Sequence, residues 1–358
     1  MLLSIVGTIG ATALVTLSEP ATCSCKLAIL RPKDIGAGYL ATYLSSKFGQ
    51  LRIQQLTRGA VQQGLILEDA DQILVPRFGA FEDSVEALVA DASRHRSAAL
   101  DSMSQAEALV LTSLGLTDWR PVEALSYTSS SAAARSAERL DAQYFQPAKS
   151  ETITRLRAMP GGLLSDSFDV IRELVDPRGS PSARCRNYDL TDALEPVLDS
   201  SKAPVVFADM DSQKVALKDG DLAVSRLRAY LKEIAVVRVT DDIPSVGSSE
   251  FYVLRRKSEA PEFSAEALMI YLLSPPVQTI LKWCQDGSQH PRFSEHDLMR
   301  IPLPEQVIKL NSSVTAQVSD ALKSRAESLR LLGVARRAVE IAVEESRAAA
   351  STFISASR

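Results

Sequence analysis

Residues 43–76 and 271–304 follow one plan at a constant offset of 228, and no gap separates their landmarks. "YLSSKFGQLRI" (43–53) lies over "YLLSPPVQTIL" (271–281), matching Tyr43 with Tyr271, Leu44 with Leu272, Ser46 with Ser274 and Gln50 with Gln278. Further along, Gly59 falls on Gly287, Asp69 on Asp297, Ile73 on Ile301 and Pro76 on Pro304. Eight identities in thirty-four positions stand against roughly two for average composition. A period this long is too large for a solenoid, so it marks a duplicated module of domain size.

Each copy then carries the same parts in the same order. After Pro76, residues 78–116 lack proline and space Phe81, Val85, Leu88, Ala92, Leu109 and Val110 by threes and fours. After Pro304, residues 305–355 do the same with Val307, Leu310, Val314, Val318, Ala321, Leu329, Leu332, Val339 and Ala342. Both patterns predict a long amphipathic helix, the first interrupted at "ASRHRSAALDS" (92–102). "LLSIVGTIGATALV" (2–15) sits where the second copy has "DLAVSRLRAYLKEIAVV" (221–237), whose alternation predicts strands. The first basic residue is Lys26, so residues 2–15 read as core strands rather than a secretory signal. The Ser/Ala-rich stretch 126–138 reads as a flexible connection.

The expected division is a partial first domain over 1–77, a spacer helix over 78–125, a linker over 126–138, a complete mixed domain over 139–304 and a distal helix over 305–358. At the same offset the equivalent of residue 139 would precede residue 1, so the first domain is expected to lack its leading part.

Composition is that of a globular chain, with 46% hydrophobic and 23% charged residues. A formal net charge of −4 argues against coating nucleic acid nonspecifically and leaves local basic patches open. Cys23, Cys25, Cys185 and Cys284 lack metal or redox spacing and read as free thiols in a reducing cytoplasm. His95, His290 and His296 do not fall at the spacing that puts two ligands on one helix face. No nucleophile elbow, phosphate loop or dinucleotide fingerprint occurs, so the sequence offers no catalytic residues and no metal site.

"RLDAQYFQPAK" (139–149), "GDLAVSRLRAYLKEIAVV" (220–237), "SSEFYVLRRK" (248–257), "CKLAILRPKDIGAGYLATYLSS" (25–46) and the two Gly-to-Pro stretches together carry a resemblance. In this order, duplicated and separated by helices, they resemble the DNA-specificity (S) subunits of type I restriction-modification systems over nearly the whole chain. The resemblance implies an α+β fold: mixed α/β target recognition domains, separated by two long helices packed as an antiparallel, coiled-coil-like spacer. A helix of about 34 residues spans roughly 50 Å, enough to separate two readers by more than one DNA turn of about 34 Å.

The family further implies a noncatalytic subunit that binds double-stranded DNA at a bipartite site. Its partners are modification (methyltransferase) subunits and a restriction (endonuclease/translocase) subunit. No cofactor is bound directly, S-adenosylmethionine belonging to the modification subunit. Self-association is one way to complete the missing half-domain, and a degenerate module acting as a docking adaptor is the alternative reading.

Candidate DNA contacts follow from side-chain type, since Arg suits guanine edges and phosphate while Gln suits adenine. In the second domain they are Arg226, Arg228, Tyr230 and Lys232, with the first three expected on one face of a strand. Arg255 belongs to a second basic cluster, Arg178, Arg184 and Arg186 to a loop, and Gln289, His290 and Arg292 to the turn "DGSQHPR". The first copy offers Arg58, Gln62 and Gln63 at the equivalent turn.

Overall fold

A computed structural model describes residues 1–16, 19–59, 63–179, 182–210 and 212–357. The chain divides into two compact units, residues 1–99 with 323–358, and residues 100–322. Among the described residues no helix is long and apolar enough to cross a membrane.

The first unit opens on a three-stranded antiparallel sheet. Strand β1 (Leu2–Ser4) lies between β2 (Thr12–Ala13) and β3 (Leu27–Ile29). As the central strand, β1 buries Leu3 completely, which explains the apolar start of the chain. Helix α1 (Ala37–Ser45) follows, and Ser46 ends it by returning its hydroxyl to the Tyr43 carbonyl. The same Ser46 caps α2 (Lys47–Leu56) by accepting from Gly49 N–H. After the short α3 (Leu67–Ala70) comes α4 (Ala80–Ser113), capped by Glu82, whose carboxylate accepts from Phe78 and Gly79 N–H at 2.6 and 3.1 Å. α4 runs unbroken through 92–102, contrary to expectation, because that stretch contains no Gly or Pro and its Ala92 and Ala99 are buried. It stops where Gly115, at φ +61°, lets Leu116 N–H return to Leu111 O.

The second unit continues with α5 (Ser131–Ala137), α6 (Pro147–Arg157), β4 (Gly161–Leu163), α7 (Leu164–Ser167), β5 (Phe168–Ile171) and β6 (Leu174–Val175). The segment expected as a flexible connection thus contains a helix, capped by Ser130 accepting from Ala133 N–H. Next come β7 (Arg184–Tyr188), β8 (Val197–Asp199), β9 (Val205–Val206), β10 (Lys214–Leu217) and β11 (Leu222–Ser225). β12 (Ile234–Arg238), β13 (Ser245–Ser248) and β14 (Phe251–Arg256) complete two five-stranded sheets, β5-β14-β11-β12-β8 and β6-β10-β13-β7-β9. Alternation assigns the faces: Ala223, Ala235 and Val237 join the core shared with Val215 and Leu217 of the other sheet. Leu222, Val224, Ile234 and Val236 point the other way, into the core around α8 (Ala265–Leu273).

Helix α9 (Pro275–Cys284), α10 (Glu295–Met299) and β15 (Pro302–Pro304) lead to the distal segment. Expected as one helix, it is three: α11 (Glu305–Lys309), α12 (Asn311–Glu344) and α13 (Arg347–Ser357). Leu310 N–H turns back to Val307 O and closes α11, and Ser346 caps α13 by accepting from Ala349 N–H. α4 and α12, each 34 residues, pack together as an antiparallel pair. In the first unit Val85, Leu88 and Ala92 share a core with Leu331, Ala335 and Val339, and Ser328 donates its hydroxyl to Ala92 O at 2.8 Å. In the second, Ala106, Val110 and Leu114 share one with Val314 and Val318.

The duplication is visible bond by bond. α1 and α8, and likewise α2 and α9, begin and end 228 residues apart. Ser274 repeats the Ser46 bond to the preceding tyrosine carbonyl, both at 2.6 Å. Gln50 and Gln278 each donate to the carbonyl six residues back, Leu44 and Leu272. The sheet of the first unit, β2-β1-β3, corresponds to β12-β11-β14 of the second.

Candidate nucleic-acid interface

The hairpin between β11 and β12 meets the turn 286–292, and half of the residues expected to touch DNA lie at this junction. Leu227 bridges to Arg292, Arg228 N–H donates to Pro291 O at 2.8 Å, and Phe293 N–H donates to Arg226 O at 3.2 Å. The Arg228 guanidinium lies 3.0 Å from His290 Nδ1. Below them Glu250 takes Arg226 Nε at 2.6 Å and Arg292 Nε and Nη2 at 3.0 and 2.9 Å. The Arg292 and Arg226 guanidinia hold the Glu250 carboxyl down to about 2, against the desolvation that would raise it. One carboxylate between two guanidinia leaves a net positive charge, to which Arg228 and Lys232 add. Tyr230, Lys232, Gln289 and His290 are exposed on the same loops.

The expected strand face does not exist. β11 ends at Ser225, Ala229–Leu231 form a single 3-10 turn, and Arg228 and Lys232 adopt left-handed backbone at φ +46° and +56°. The cause is nonlocal: pairing with residues 291–293 pulls the chain out of the sheet.

The first copy repeats the backbone and not the charge. Ser4 and Ser225 each donate to the carbonyl two residues on, Val6 and Leu227. Leu65 N–H binds Ile5 O as Phe293 N–H binds Arg226 O. Ser4 N–H binds Ala11 O as Ser225 N–H binds Glu233 O. These bonds align Gly7 with Arg228 and Gly10 with Lys232. Both glycines have positive φ, +82° and +89°, so the two cations occupy conformations that the first copy gives to glycine. Left-handed backbone at a non-glycine residue costs on the order of 1 kcal/mol and is concentrated at functional sites.

Support for the loops comes from residues that sequence reasoning missed. Gln285 Oε1 accepts from Ala229 N–H at 2.8 Å, and Arg139 donates to the carbonyls of Cys284 and Gln285, both at 3.1 Å. Nothing local marks Glu250 or Gln285, whose partners are distant in sequence.

The remaining candidates lie elsewhere. Arg186 is buried, forked onto Asp241 at 2.5 and 2.6 Å and donating to Lys202 O. Arg255 is forked onto buried Asp221 at 2.7 Å twice. Both guanidinia are committed to internal ion pairs. The loop expected to hold Arg184 and Arg186 is strand β7, so only Arg178 of the three lies outside it. Arg178 is exposed beside Asp176, and Arg184 is exposed with one bond to Pro204 O. In the first copy Arg58 binds Asp69 at 2.7 Å and Gln63 is exposed, while Gln62 lies outside the described residues. Among the described residues no group of three or more His, Cys, Asp or Glu side chains is placed to hold a metal ion.

No family model and no curated protein matches the chain. Solved structures do. The chain is similar to the S subunit of a type I restriction-modification system from M. genitalium, at 11% identity and a TM-score of 0.42, covering 94% of this chain and 82% of that one. It is also similar to a chain from a structure described as the basis of complex assembly and conformational transition of the type I R-M system. There the identity is 16% and the TM-score 0.31, with 88% of this chain and 74% of that one covered.

Proposed function

We propose that the chain is a noncatalytic DNA-specificity subunit of a type I restriction-modification complex, acting in the cytoplasm. The reading rests on one observation: two cations held in left-handed backbone, Arg228 and Lys232, at the exposed junction of two loops whose counterpart elsewhere in the chain uses glycine. A protein under no demand for charge there would keep the glycines. Phosphate contacts from these cations set affinity and salt dependence, and Gln289, His290 and Tyr230 beside them are suited to base edges and sugar.

The recognition domain in this reading is residues 139–304, with residues 1–77 belonging to the first copy of the module. Duplication with intervening helices gives the chain two reading positions for a bipartite site. Catalysis belongs to the partners: modification subunits carrying S-adenosylmethionine flip and methylate the target base, and a restriction subunit cleaves. The uncharged loop of the first copy, Gly7 to Gly10, favours a second role for that unit as a docking body for a protein partner.

The test is co-purification with a modification subunit encoded beside the gene, followed by selection from random-sequence duplexes at two salt concentrations. Enrichment of a defined sequence with steep salt dependence is the expected result. Assembly without any enriched sequence would leave only the adaptor role.

A further inference from the structure

Tyr230 is an exposed ring in a fold that covers its other aromatics. Among the described residues it is 64% exposed, whereas every other Phe, Tyr and Trp is buried or half-buried. Among the same residues its hydroxyl makes no hydrogen bond and its ring meets no other ring or cation. Leu231 beside it is also exposed, at 36%. The fold makes no use of the ring, whose apolar faces stay in water.

The loop that carries the ring is fixed. Ala229 is buried and donates its N–H to Gln285 Oε1 at 2.8 Å. Leu231 N–H returns to Arg228 O at 2.7 Å, and Lys232 N–H to Ala229 O at 3.0 Å. Tyr230 therefore sits on a closed turn, anchored at its base and flanked by Arg228 and Lys232 in left-handed backbone. In the first copy Ile9 N–H returns to Gly7 O as Leu231 N–H does to Arg228 O, so Thr8 alone stands where the second copy has Ala229 and Tyr230. The longer loop replaces one hydroxyl with a buried anchor and an exposed ring.

We propose that Tyr230 is a wedge: its ring enters the duplex at an opened base step and stacks there, while Arg228 and Lys232 hold phosphates on either side. The proposal rests on the DNA-specificity reading and deepens it, because a contact to a groove edge needs only the hydroxyl. Inserting an apolar side chain between base pairs costs the stacking between them, and stacking of a base on the ring offsets that cost. A turn that is already closed adds little further ordering cost. Since every base has a π-face, the wedge selects a step that opens easily and not a particular base edge.

The full chain, titrated with the duplex it selects and with copies carrying a single nick stepped along each strand, tests it. A nick leaves every base in place and makes one step easy to open. One nick position is expected to tighten binding by about tenfold, because the unstacking cost is removed there. Tyr230→Ala is expected to weaken binding to the intact duplex by about tenfold, to lose the preference for that nick and to keep the salt slope, since both cations remain. Tyr230→Phe retains the ring and is expected to match the parent. Because the side chain has no partner in the fold, both variants are expected to keep the parent's melting curve. A parent indifferent to nicks at every step, a nick preference that survives Tyr230→Ala, or a Tyr230→Phe variant as weak as Tyr230→Ala would overturn the wedge and leave the DNA reading standing. A parent that selects no duplex would overturn the reading and the wedge together.

Discussion

Tyr43 and Tyr271 make the same bond: each donates its hydroxyl to the carbonyl thirty-one residues ahead, Leu74 in one case and Pro302 in the other. The bond ties a helix to the segment that leads into the next long helix, and it does so in both copies. A tyrosine at this position supplies apolar area to the core and a donor at its far end, a combination that phenylalanine lacks. Burial raises the hydroxyl of each above the ordinary tyrosine value, which favours the neutral, donating form.

Tyr271→Phe is expected to destabilise the protein by about 1–2 kcal/mol, because Pro302 O then loses a donor inside a dry core. Tyr43→Phe is expected to cost less, since Tyr43 is slightly more accessible, at 6% against 0%. Urea unfolding of the two variants beside the parent measures the difference.

Glu250 gives the interface an acid limit. Its carboxyl is held at about 2 instead of the ordinary 4.5, so the folded state prefers the charged form. The stabilisation is fully present above the unfolded value near 4.5 and is lost as pH falls through the folded value near 2. It amounts to no more than about 3 kcal/mol. Glu250→Gln is therefore expected to be less stable than the parent above pH 5, with the gap closing as the pH drops toward 2. Unfolding free energies measured across that range follow this course, and a gap independent of pH would show that the arginine pair is not coupled to this carboxylate.

Arg186 and Arg255 separate from the loop cations by what their loss does. Arg255→Ala leaves Asp221 buried without its fork, for an expected loss of about 3 kcal/mol, and Arg186→Ala is expected to lose less, because Asp241 is left partly in solvent. Once folded, either variant is expected to keep the sequence preference of the parent. A folded Arg255→Ala protein that selects a different duplex would place this side chain in the reading surface after all.

How much of this was legible in the sequence depends on the distance over which each feature is decided. The repeat that folds as α1–α2 and α8–α9 was readable because its determinants are local, Tyr43, Ser46 and Gln50 recurring in fixed register as Tyr271, Ser274 and Gln278; that each copy breaks into two helices at the serine was not. The long helices were readable for the same reason. The loop 226–232 was not, because its alternation imitates a strand while residues 291–293 decide its path. The charges of Arg186 and Arg255 were visible, whereas Asp241 and Asp221, which absorb them, lie 55 and 34 residues away. The correspondence of Gly7 with Arg228 is present in the sequence, yet only the hydrogen bonds supply the alignment, since the second loop is one residue longer.

That correspondence makes the sharpest prediction. Arg228→Gly and Lys232→Gly restore the residue type used by the first copy and relieve left-handed backbone at φ +46° and +56°. Each is expected to raise stability by up to about 1 kcal/mol. Each is also expected to weaken duplex binding and to reduce the slope of log affinity against log salt by about 1, the loss of one phosphate contact. Opposite signs in the two measurements are the point of the test. A side chain present only for packing would lose stability on truncation to glycine and leave the salt slope unchanged. A variant that is more stable and binds DNA as before would remove these loops from the interface.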